Sequence, residues 1–183
     1  MNFETLLFNK EGFMFVRENK NKYKLDFSIS NKGIIIENII NFNLIKLIYD
    51  LNPDVYEYVN INQQNENEAI ITLLMKHFFE DLGLPQRFSY MAMKKYKEDN
   101  KIIFHSQSIR DHRPENMPNE SELMNMKDLI CVCNMITQHK IIFEVNVVFN
   151  ENMVIPPFAE KIIGMILHKI FKRVKQFIEN VRI

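Results

Sequence analysis

"NMVIPPFAEKIIGMILHKIFKRVKQFIENV", residues 152–181, is the stretch whose reading decides the fold. Pro156 and Pro157 open a run whose apolar positions recur at helical spacing. Proline is tolerated in a first helical turn, where its missing N–H would have no partner anyway. Ala159, Ile162, Ile163, Ile166, Ile170, Val174, Phe177 and Val181 fall on one face, a stripe wide enough to seal a sheet. The rest of the segment from Pro157 to Ile183 is basic, with Lys161, Lys169, Lys172, Arg173, Lys175 and Arg182 against Glu160 and Glu179. Such a helix suits three roles: core element, membrane-surface anchor, or lid.

A chain of 183 residues fits one domain with a real core, and 46% hydrophobic with 25% charged residues excludes disorder. Net charge is zero, so no global attraction to nucleic acid is expected. The closing helix is the basic pole of a neutral molecule. Cys131 and Cys133 are too few for a disulfide framework and lack zinc-ligand spacing. That favours a reducing compartment, and with no basic n-region or long apolar run the expected location is cytoplasmic.

The chain upstream reads as strands. GFMFVREN (12–19) is one; YKLDFSIS (23–30) alternates with Tyr23, Leu25, Phe27 and Ile29 on one side. NKG (31–33) followed by IIIENII suggests a hairpin. FNLIKLIYDLNPD predicts a short helix capped by Asn43 and stopped by Pro53. Residues 69–78, 87–96, 101–109, 126–136 and 140–149 are strand-length runs rich in β-branched and aromatic residues. Turns are expected at QNENE, KEDN and QHK. Residues 110–125 form a long polar connection, the kind that is commonly functional or disordered. The sum is α+β: an antiparallel sheet that curls, with one long helix to cover it.

Little here asks for catalysis or a metal. The five histidines form no close pair, and four scattered glycines cannot build a phosphate-cradling loop. Cys131 reads as a buried small hydrophobe. Glu144 and Asn146 interrupt the apolar strand 140–149 on the side opposite Phe143. They either face solvent or orient a ligand head group inside a cavity. Fifteen Phe and eleven Met offer an adaptable interior, although ordinary core packing explains them equally.

The order of these pieces resembles the StAR-related lipid-transfer (START) family over nearly the whole chain. GFMFVREN is placed like the family's early strand, and LNPDVYEYV (51–59) is similar to its "WNPNV" segment. LPQRFSYM (84–91) sits where "PRDFV" is usual; HSQSI (105–109), ENMP (115–118) and FNENMVIPPF (149–158) follow in order. Leu51 replaces the family tryptophan, Gln86-Arg87 replaces its Arg-Asp, and the first helices are short or absent.

The resemblance implies a helix-grip fold: a single domain over 1–183, with a curved antiparallel sheet wrapped around the C-terminal helix and a central apolar tunnel. It implies binding of one lipid, transferred or sensed between membranes, without cofactor, catalytic residue or metal. Phe143, Glu144, Asn146, Ala159, Ile162, Ile163, Ile166 and Ile170 are the pocket candidates. Met117 and Pro118 would lie at the tip of a loop beside the tunnel mouth. Lys169, Lys172, Arg173 and Lys175 would dock a monomer transiently on an anionic membrane. The alternative is a non-transferring relative, an interaction or regulatory module whose cavity is filled by side chains. Catalysis ranks last, because Glu144, His77 and His105 are its only scattered candidates.

Overall fold

The computed structural model describes residues 4–153 and 155–182; Val154, within the FNENMVIPPF motif, lies outside them. Three strands come first: β1 (Thr5–Lys10), β2 (Phe13–Asn19) and β3 (Lys22–Ser30). After helix α1 (Phe42–Asp50) come β4 (Tyr56–Asn65), β5 (Glu68–Met75), β6 (Arg87–Glu98) and β7 (Lys101–Ser108). The short β8 (Glu122–Leu123), then β9 (Met126–Thr137) and β10 (Lys140–Phe149), lead to helix α2 (Pro157–Asn180).

All strands but β8 form one path, ordered β1-β2-β3-β10-β9-β7-β6-β5-β4, and every pair along it is antiparallel. The crossover through α1 carries the chain from β3, mid-sheet, to the far edge at β4. The chain then meanders back until β10 closes on β3. Edge strands β1 and β4 do not pair with one another, so the sheet remains open. The architecture is the helix grip: a long antiparallel sheet with α2 against its inner face.

The alternation in β3 works as the sequence indicates. Tyr23, Leu25, Phe27 and Ile29 are buried, and Phe27 stacks on Phe143 of β10 with centroids 4.9 Å apart. Phe13 stacks on the other side of Phe27 at 5.1 Å, so an aromatic row crosses three strands.

Three local readings need correction. IIIENII is not a strand, because the chain makes a 3-10 turn at Ile36–Ile39. The Asn31 side chain accepts the Gly33 N–H at 2.7 Å and donates to the carbonyls of Ile178 and Val181. That turn thus anchors the end of α2 and leaves Ile34, Ile36 and Ile40 to plug the core. The α1 cap is Asn41, whose side chain accepts the Asn43 N–H at 2.8 Å. Strands β1 and β4, unread in the sequence, are the two sheet edges, where burial on one side is incomplete and alternation fades.

Candidate functional site

Helix α2 buries part of the stripe its isoleucines outline, together with positions outside it. The fully buried positions are Ala159, Glu160, Gly164, Ile170, Val174 and Ile178, of which Ala159, Ile170 and Val174 belong to the expected stripe. Two of these residues are not apolar, which is why hydrophobic periodicity missed them. At Gly164 an added Cβ would lie 3.2 Å from the rings of both Phe8 and Phe15, so the bare backbone lets α2 approach β1 and β2 closely. Phe177, expected on the covered face, is exposed.

Beneath α2, side chains converge from α1 (Leu44, Ile45, Ile48), from the strands (Phe27, Phe104, Cys131, Cys133, Phe143) and from the helix (Phe171, Val174). They line a small void of about 20 Å³. A cavity needs roughly 10–15 Å³ to admit one water, so this one has room for about one small group. Among the described residues, no carboxylate, histidine, side-chain amide or hydroxyl lines it. The cysteine sulfurs stand 3.9 Å apart; the contact from Cys131 and then burial hold the Cys133 thiol well above its ordinary pKa.

Of the pocket candidates, Phe143 lines this void. Ala159 and Ile170 are buried and Ile162, Ile163 and Ile166 half-buried, but none of the five borders it. Glu144 and Asn146 belong to the opposite side of the sheet. Strand register sets Glu144 across from Asp26, and its carboxylate pairs with Lys24 at 3.4 Å.

The basic residues expected to meet a membrane also hold α2 to the rest of the molecule. Arg173 and Lys169 pair with Asp54, Lys172 pairs with Glu11 in the β1–β2 turn, and Lys175 pairs with Glu179 and the Ser28 carbonyl. Arg173 also donates to Oδ1 of the fully buried Asn52 at 3.0 Å, and Asn52 in turn donates to the Ile48 carbonyl. Asn52 and Asp54 thus tie α1 to α2 within the segment LNPD. Arg173, then Lys169, hold the Asp54 carboxyl well below the usual carboxylate range.

Near the start of α2, Glu160 accepts Arg17 through both oxygens at 2.9 Å and Tyr23 at 2.7 Å. Burial, then this carboxylate, push the Tyr23 phenol above its ordinary value. The visible signal was a lone acid in the first turn of a basic helix; its partners on β2 and β3 were not readable locally.

The loop after β7 folds onto the outer side of the sheet, away from the void. Met117 is buried against Leu74 and Phe88 and is not an exposed tip. The Arg113 guanidinium sits 4.8 Å over the Phe88 ring and donates to the Pro118 carbonyl and to Ser121. Among the described residues, no group of three or more His, Cys, Asp or Glu is placed to hold a metal ion. Among them also, no helix is long and apolar enough to cross a membrane.

No protein-family model and no curated protein matches the chain. Solved structures do match. The human StarD13 (DLC2) lipid transfer and protein localization domain superposes with a TM-score of 0.71 at 8% identity, covering 99% of this chain and 91% of that one. Human STARD10 gives 0.68 at 10% identity, over 94% and 71%. A StAR-related lipid transfer protein fragment from Xanthomonas axonopodis gives 0.63 at 10%, over 95% and 97%. The chain therefore has the START helix-grip fold.

Proposed function

We propose that this protein binds one lipid between α1, α2 and the inner face of the sheet, and exchanges it at membrane surfaces. The carrying observation is the convergence of ten side chains from both helices and four strands on a void that no charged or amide group borders. The printed names of the fold neighbours describe lipid transfer, which agrees with this reading.

The void describes a closed state, and a tail enters by parting the α1–α2 seam. Burying a tail favours binding by about 0.8 kcal/mol per methylene. Ten methylenes thus outweigh the exposed ion pairs across the seam, each worth about 0–1 kcal/mol. An anionic membrane would attract Lys169, Lys172 and Arg173 by about 1 kcal/mol each. It would compete with Asp54 and Glu11 for them, so docking and opening of the seam become one event. Met117 and Pro118, held on the outer side, have no part in this.

A second reading is a non-transferring module whose interior is filled by its own side chains, and the size of the void favours it. Lipid extraction with mass spectrometry of the purified protein, paired with exchange of fluorescent lipid between liposomes, separates the two. Bound lipid with faster exchange supports transfer. Neither result leaves the filled module.

A further inference from the structure

A second concavity opens beside the void, and it is polar. It is a groove of about 380 Å³ between the 3-10 turn ahead of α1 and the ends of β5, β6 and β7. Its floor is Ile40 and Ile102; its walls carry Lys95 and Lys97 together with the Glu37 carboxylate, Asn38 and Asn67. The β6 sequence MAMKKYK explains the change of character. Met91 and Met93 face the core, and the same two-residue period carries Lys95 and Lys97 onto that side where the sheet outruns α1.

Lys97 is paired with Glu37 of the 3-10 turn. Lys95 is half-buried, yet no carboxylate lies within ion-pairing distance of it among the described residues. Asn38 and Asn67 are exposed beside it, and their side-chain amides make no hydrogen bond to other described residues. With no counter-charge of its own, the Lys95 ammonium is available to an anion that enters the groove. Phe42, two residues after Ile40 of the groove floor, meets Phe104 edge to face at 5.9 Å, and Phe104 lines the apolar void.

We infer that this groove binds a phosphate group, with Lys95 as its charged anchor and Asn38 and Asn67 as donors. In the form that rests on the lipid reading above, the phosphate is the head group of the amphiphile whose tail passes Phe42 and Phe104 into the interior. The same chemistry would accept a free phosphate ester.

The test is calorimetric titration with a monoacylglycerol phosphate, the tail-matched monoacylglycerol, and glycerol phosphate. The wild type, Lys95→Gln and Lys94→Gln are compared. Lys94 is the charge control, since it is exposed on the other side of β6 and pairs with Glu68. The expected result is that the wild type prefers the phosphorylated amphiphile roughly tenfold, the size of one charge-assisted hydrogen bond. Lys95→Gln should erase that preference with the affinity for the neutral amphiphile unchanged, and Lys94→Gln should keep it.

Equal affinity for the two amphiphiles in the wild type overturns the phosphate site and leaves the lipid reading standing. A preference that survives Lys95→Gln, or falls equally in Lys94→Gln, also overturns the site. Lys95-dependent binding of glycerol phosphate, with no gain from a tail, upholds the site and removes the lipid reading. Binding of none of the three probes removes both.

Discussion

The phenolic O–H of Tyr23 in β3 donates to the Glu160 carboxylate in the first turn of α2 at 2.7 Å, beside the paired Arg17 guanidinium. Glu160 is nearly covered, with 6% of its side chain exposed, whereas Arg17 keeps 33%. Replacing Glu160 by Ala strands the Tyr23 hydroxyl without its acceptor and leaves Arg17 free to turn toward water. The expected loss is about 2–3 kcal/mol, at the lower end for a broken buried pair because Arg17 is partly solvated. Glu160→Gln keeps an acceptor and should cost less. Urea unfolding of both variants at neutral pH checks the order.

Gly164 sets how closely α2 lies on β1 and β2. Alanine there gains helix propensity of about 1 kcal/mol, but its methyl sits 3.2 Å from two phenylalanine rings that already pack together at 5.7 Å. The two effects oppose, so Gly164→Ala should fall within about 1 kcal/mol of the wild type. Gly164→Leu has no compensation and should cost more than about 2 kcal/mol by lifting the helix. Thermal melts of the pair test whether close approach, rather than chain flexibility, is the reason for glycine.

Asp54 makes the α1–α2 seam sensitive to acid. Arg173 and Lys169 depress its carboxyl pKa in the folded state below the unfolded value of about 3.9. The stabilisation is therefore full above that unfolded value and is lost as pH falls through it toward the folded one. Because 41% of the Asp54 side chain is exposed, its share should be about 1 kcal/mol or less, and smaller in high salt. Asp54→Asn should melt lower than the wild type at pH 7. The gap should narrow below about pH 4, as followed by melting temperature against pH.

The long amphipathic helix, the alternation in β3 and the succession of later strands were legible because each buries one regular side. What stayed hidden depends on partners distant in sequence. Leu6 in β1 is exposed at a sheet edge, so that strand shows little pattern. The isoleucines of 34–40 look like a strand, yet Asn31 turns the chain toward the end of α2. The ion pairs that the basic residues of α2 make with Asp54 and Glu11 depend on the same kind of distant partner. The lining of the void was legible only in part: Val174 of the expected stripe reaches it, but so does Phe171 outside that stripe, and the isoleucines of α2 do not.

Phe143 offers a direct test of whether the interior can take a guest. It is 5% exposed, stacks on Phe27 and lines the void. Phe143→Ala should cost about 3–5 kcal/mol through lost burial and the cavity left behind. A medium-chain alcohol that fills the enlarged space should restore part of the loss, raising the melting temperature of the variant more than that of the wild type. Cys131 borders the same space and is half-exposed, so the guest should also slow its reaction with a thiol reagent. A variant that is destabilised but neither rescued nor protected at Cys131 would mean that the surrounding side chains collapse into the gap. That outcome would favour the filled, non-transferring module.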